Sequence, residues 1–170
     1  MLKRRESSFL ILVIVAVSFF GYSANAATDI QEKAIIKNCN KIRETLKSIQ
    51  RADTFARTDY LPSVYDEILS NYIIPMESRL SKNGQVSDSL NDNKKDFVET
   101  YSQFKIDFVT YSKSMEKLLN TNCEENPEEF YTQLEVVRVD RNQINLDTQK
   151  MNKIIEKQKT YVSNLRKEEK

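Results

Sequence analysis

Apolar residues return at alternating steps of four and three along most of this chain. Ile35, Cys39, Ile42, Leu46 and Ile49 form the first such series, and Leu61, Val64, Ile68, Tyr72, Met76 and Leu80 form a second. This is the spacing of a helix that shows one stripe to a partner helix. The second series runs about one residue out of phase with the first, the drift a straight helix accumulates against a 3.5-residue repeat. One long helix over 28–82 therefore accounts for both series. Pro62 and Pro75 fall inside it and predict kinks, or a break near residues 59–62.

Asn83-Gly84 closes this element, because glycine adopts the left-handed conformation of a helix C-terminus at little cost. Ser87 or Asp88 then supplies an N-cap for a second helix over 88–120. Its seam is unbroken: Phe97, Tyr101, Phe104, Phe108, Tyr111, Met115 and Leu118. Residues 122–127 read as a turn, with Asn126 as N-cap and Pro127 in the first helical position. Glu128 and Glu129 follow where the helix dipole favours anions. The third helix covers 127–167, with Phe130, Leu134, Val137, Arg141, Ile144, Thr148, Met151, Ile155, Gln158, Val162 and Leu165 on its seam. Arg141, Thr148 and Gln158 are polar seam positions. They either leave a surface open for another chain or mark where the third helix outruns its neighbours, and the second reading is the simpler. The predicted fold is all-α: an elongated antiparallel three-helix bundle with coiled-coil-like packing, occupying 27–170 as one domain.

Residues 1–26 read differently. Lys3, Arg4 and Arg5 precede an apolar run from Phe9 to Phe20, and Ala24-Asn25-Ala26 is an A-x-A cleavage site. This is the pattern of a secretory signal peptide. The run is shorter than the roughly 20 residues that span a bilayer comfortably. A second reading keeps the segment uncleaved, with residues 8–20 anchoring the bundle to the outer face of the cytoplasmic membrane. Both readings put the bundle outside the cytoplasm, secreted, periplasmic or at the cell surface.

Composition narrows the chemistry. There is no His, the commonest general acid/base and metal ligand at neutral pH. The formal net charge is +1, and removal of residues 1–26 leaves the rest close to neutral. No field attracts nucleic acid. The helix faces beside the narrow seams are dense in Glu and Asp, which disfavours anionic lipid. No catalytic, cofactor or metal motif is legible, and the chain reads as non-enzymatic.

Cys39 and Cys123 are the two cysteines, in a compartment where disulfides persist. An intramolecular bond between them tests the topology. If the first segment folded back near Tyr60, the two would stand roughly 40 Å apart at the helical rise, too far to join. If the chain reverses only at Gly84, they come within about 12 Å, a gap the turn at 120–126 covers. The bond therefore goes with a long first helix. The alternative keeps Cys39 as a small buried seam residue, with Cys123 free or paired between chains.

Several pieces together resemble a known group. They are Cys39-x-x-Ile42 with Leu46 and Ile49; Gly84 followed six residues later by Leu90; Phe104-x-x-Asp107-Phe108-x-x-Tyr111; Cys123; and Phe130 with Leu134 and Arg138. This set is similar to secreted all-helical, two-cysteine proteins of ultrasmall candidate-phyla bacteria, a group of unknown function, across most of the chain after residue 27. The resemblance implies the fold and the compartment and carries no activity. In that group the first helix is usually uninterrupted, so Pro62, Pro75 and the extra residues before Gly84 are departures. About the turn near residue 124, Arg138 lies opposite a position within one helical turn of Asp107. These two are expected to form an ion pair between the second and third helices.

Two functions fit this reading. One is a cell-envelope structural or protein-interaction module that binds another envelope or surface protein. The other is a holdase-type chaperone, with Tyr65, Tyr131 and Tyr161 beside the seams as exposed contact area.

Overall fold

The structure is a computed structural model that describes residues 27–84 and 88–168. The signal segment assigned to 1–26 and the candidate cap Ser87 lie outside the described residues. Three helices make the fold: α1 over 29–82, α2 (Asp88–Asn120) and α3 (Pro127–Glu168). Among the described residues there is no strand.

Thr28 starts α1. Its hydroxyl accepts from the Gln31 amide while the Gln31 side chain accepts from the Thr28 amide, a capping box. Asp29 and Glu32 in the first turn complement the dipole. At the other end Gly84 has φ +66, the left-handed conformation expected of it. Its N–H donates to the Ser81 carbonyl.

Between these ends α1 neither breaks nor folds back. Regular α-helix over Asp29–Thr54, Leu61–Glu67 and Ile74–Lys82 alternates with two six-residue π-helical stretches, Phe55–Tyr60 and Ile68–Ile73. Each stretch ends just before a proline. The Leu61 amide donates to the Ala56 carbonyl and the Ile74 amide to the Leu69 carbonyl, both five residues back. The prolines explain the placement. Pro62 and Pro75 offer no N–H, and in an α-helix each ring would strike the carbonyl four residues earlier. A wider turn moves that carbonyl aside, so the chain passes the proline without losing its helical course.

The wider turns also rotate α1. A π turn holds more residues than the 3.6 of an α turn, so the inward face changes from alternating steps of three and four to steps of four. Asp53, Arg57, Leu61, Tyr65, Leu69 and Ile73 now point to the core; Asp53, Arg57, Tyr65 and Ile73 are buried there. The seam expected for this half is thereby displaced to one side. Val64, Ile68, Met76 and Leu80 are half-buried, and Tyr72 is 63% exposed.

In α2 the expected aromatic seam holds. Phe97, Tyr101, Phe104, Tyr111, Met115 and Leu118 are buried and Phe108 is half-buried. Tyr65 enters this row with edge-on contacts to Phe97, Tyr101 and Phe104 at 5.7–6.2 Å between centroids. Such pairs contribute about 0.5–1.5 kcal/mol beyond the area they bury. The Tyr101 hydroxyl donates to the Pro62 carbonyl, so the proline's own acceptor is met from α2. Burial, with Asp66 beside it, pushes the Tyr101 phenol up to about 12.

α3 begins at Pro127, with the Asn126 carbonyl accepting from the Phe130 amide. The preceding turn closes on Asn122, whose side-chain oxygen accepts from the Glu124 and Glu125 amides. Cys123 in this turn is fully buried and joins Cys39, with Cα atoms 5.7 Å apart. The Arg43 guanidinium donates to the Leu119 carbonyl, satisfying an acceptor at the end of α2 from across the bundle. These links hold α1 antiparallel to α2, and α3 returns alongside α1.

Candidate functional site

A buried ionic cluster lies where α1 passes from its first α stretch into its first π stretch. Asp53, one residue before the end of the α stretch, is 6% exposed. Arg141 of α3 grips it with two bonds, Nε to Oδ2 at 2.7 Å and an Nη2 to Oδ1 at 3.1 Å. The Tyr111 hydroxyl of α2 donates to Oδ2 at 2.6 Å. Arg57, one turn on and 9% exposed, brings its Nε to 3.7 Å from Oδ1 and donates to Asn145 Oδ1 at 2.8 Å. All three helices meet on one carboxylate.

Burial alone would raise the Asp53 pKa. The Arg141 and Tyr111 hydrogen bonds and the two guanidinium charges outweigh it and hold the group below its ordinary value. The Tyr111 phenol is driven the other way, up, by burial and by the carboxylate it serves. Such a centre is a structural clasp. Its carboxylate is ionised and engaged on both oxygens, and its tyrosine is kept protonated.

Between α2 and α3 lies a second polar seam of opposite character. Asp147, 6% exposed, accepts from Gln143. Asp107 accepts from Gln103 and faces Asp147 across the seam. Asp147 Oδ2 and the nearby Asp140 Oδ2 are sealed from solvent without a donor. Burial first, and then the Asp107 carboxyl, push the Asp147 pKa up; Gln143 and Lys150 pull against this. In the unfolded chain Asp147 ionises near the usual 3.9. The folded chain therefore binds the extra proton, and stability falls as pH rises from there through the folded pKa. Asp147→Asn is expected to stabilise the protein by roughly 1 kcal/mol at pH 7, the low end of the cost of an unpaired buried acceptor. At pH 3.5 the gain should vanish. Thermal melts at the two pH values check this; an equal shift at both would mean the carboxylate's charge is not involved.

The expected Asp107–Arg138 ion pair is not formed. Arg138 pairs with Glu135 one turn back on α3 and lines the groove against α1 beside Lys41. Asp107 sits on the other side of the α2–α3 seam, toward Asp147. The mirror position was close, but the side chains leave their helices in different directions.

Other sequence expectations also change. Tyr65, offered as exposed contact area, is 2% exposed. Tyr131 and Tyr161 are half-buried, and the Tyr131 hydroxyl accepts from Gln31. Arg141, Thr148 and Gln158 do not overhang: Arg141 holds Asp53, Thr148 lies beside the Tyr65 hydroxyl, and Gln158 is 6% exposed. The exposed aromatics are instead Phe55, Tyr60 and Tyr72, at 60–66% exposure, all within the π stretches of α1. With Val64, Ile68, Met76 and Leu80, Tyr60 and Tyr72 make an apolar stripe beside the buried face.

Among the described residues no group of three or more His, Cys, Asp or Glu is placed to hold a metal ion. No helix there is long and apolar enough to cross a membrane. The fold and its clasp define a three-helix bundle stapled by one disulfide. Comparison with family models, curated proteins and solved structures finds no match.

Proposed function

We propose that the chain is a non-enzymatic interaction module exported to the cell envelope or beyond, where its α1 holds another protein. The observation that carries this is the exposed stripe on α1. Two prolines and two π stretches leave Tyr60 and Tyr72 in the open, with Val64, Ile68, Met76 and Leu80 half-buried in line with them. From Tyr60 to Leu80 the stripe runs roughly 30 Å at the helical rise. A row of apolar side chains at turn spacing fits the apolar face of a partner helix. Exposed aromatic side chains, with a methionine beside them, are what interface cores favour. The Cys39–Cys123 pair is compatible with an oxidising compartment, and the signal-like segment at 1–26 supports export.

The upper half of the stripe tests the proposal. A photo-crosslinker at Phe55 or Tyr60, which are 66% and 60% exposed, should trap one discrete partner at the cell surface, and Tyr60→Asp should abolish capture with the melting temperature unchanged. Capture unaffected by Tyr60→Asp would sink this reading. The same exposed aromatics favour one alternative, a holdase chaperone. That reading requires suppression of light scattering by an aggregating client at several-fold excess, lost in Tyr60→Asp.

A further inference from the structure

The lower half of the stripe differs from the upper, because α3 walls it into a groove. Ile68, Ile73, Met76 and Leu80 of α1 face Ile155 and Val162 of α3 across a cavity of about 1140 Å³. That is slightly above the usual range of small-molecule sites, which are apolar with a few convergent polar groups. The charged groups of its lining are cations only: Arg79, and Lys159, which also reaches Glu156 at 3.5 Å. Asn71, Tyr72 and Ser163 add neutral polar groups, and no carboxylate lines the groove. At its floor Gln158 is buried to 94%, and its Nε2 has no hydrogen-bond partner. An unpaired amide donor in apolar surroundings is destabilising, and no hydrogen bond in the described bundle offsets it.

We infer that this groove binds a single-chain amphiphile with a carboxylate head, of the fatty-acid type. The chain lies along Ile68, Met76, Leu80, Ile155 and Val162, which offer only hydrocarbon. The head takes a hydrogen bond from Gln158 Nε2, brought to the groove by rotation about its soft terminal torsion, and faces the Arg79 and Lys159 cations. With Arg79 and Lys159 in its lining and no carboxylate, the groove selects an anionic head over a cationic one. This rests on the reading of the exposed α1 stripe as a binding surface and names the ligand of its lower half.

Titration calorimetry of the disulfide-intact chain with sodium laurate, below its micelle concentration, tests it. One laurate should bind per chain. Dodecyltrimethylammonium, with the same tail and a cationic head, should bind about tenfold more weakly or not at all. Gln158→Leu should move two readouts in opposite directions. It removes an unpaired buried donor, so the unliganded chain melts higher. It also removes the anchor, so laurate affinity falls about tenfold or more. Val162→Trp, which fills the groove, should abolish binding. Phosphatidylglycerol vesicles distinguish the source: the free acid binds in calorimetry while vesicles do not co-sediment the chain. Laurate affinity unchanged in both variants, absence of laurate binding, or preference for the cationic amphiphile would each overturn the inference. If laurate fails while Tyr60→Asp still abolishes partner capture, the ligand falls and the interaction module stands.

Discussion

Replacing Asp53 with alanine is expected to destabilise the bundle by about 3–5 kcal/mol, the cost of leaving buried charge without its partner. The size follows from what the change strands. Arg57 is 9% exposed and cannot turn to water, and its Nε has no partner besides Asp53. Tyr111 is 2% exposed and would keep a buried hydroxyl with nothing to donate to. Arg141, with its side chain 44% exposed, can swing out and loses least. Arg141→Ala should therefore cost less than Asp53→Ala, and the double variant should cost clearly less than the two separately, since the three side chains act as one unit. Urea melts of the four proteins measure this. Additive losses would mean that the guanidinium and the carboxylate do not communicate.

The same carboxylate sets the acid limb of stability. Asp53 has a depressed folded pKa. Its contribution is complete above the unfolded value near 3.9 and is lost as pH falls through the folded pKa. Asp147 acts with the opposite sign at higher pH. From these two groups stability should peak near the unfolded carboxylate value, about pH 4, and Asp53→Ala should lack the steep acid limb.

The residues that escaped sequence reading did so for identifiable reasons. Where the helices are regular α, spacing located the core: Ile35, Cys39 and Leu46 on α1, and all but half-buried Phe108 on α2, are buried as expected. The chain reversal at Gly84 followed from backbone preference; the Cys39–Cys123 bond was the natural pairing of two exported cysteines, and helix length showed which topology it requires. Asp53 was missed because an apolar pattern ends at the first charge. Yet Asp53 continues the step of four after Ile49, and Arg141 already stood on the α3 seam. Opposite charges on two facing seams were the available signal. Tyr65 was misplaced for another reason. Spacing at a fixed 3.5 or 3.6 residues cannot register a π turn, and beyond Thr54 two such turns exchange the buried face with its neighbour. The prolines gave the hint, since each needs either a kink or a wider turn, but not which remedy the chain adopts. Asp107 and Arg138 show the remaining limit. Pairing by height along a hairpin ignores which way each side chain leaves its helix.

Removing both cysteines, as Cys39→Ala with Cys123→Ala, is expected to cost about 4.5 kcal/mol in the chain-entropy model, because the bond closes a loop of 84 residues. The loss should fall unevenly. α2 and α3 pack on each other along the whole hairpin, whereas α1 lies against them more sparsely. At the N-terminal end of α1 few other ties exist: the Arg43 bond to the Leu119 carbonyl, the Gln31 bond to Tyr131, and the apolar contacts of Ile35, Ile42 and Leu46. Further along, Asp53, Arg57 and Tyr65 still anchor it. Without the bond, residues 29–49 should exchange their amide hydrogens far faster than residues 88–120, and the global melt should broaden as the end of α1 opens ahead of the rest. Urea melts with and without reductant, followed by amide exchange, test both parts. A uniform rise in exchange would show that the bond acts on the unfolded chain alone, as the entropic account in its simplest form requires. Selective opening of 29–49 would show that it also secures α1 in the native bundle, and that the stripe from Tyr60 to Leu80 is held in place by the clasp rather than by the disulfide.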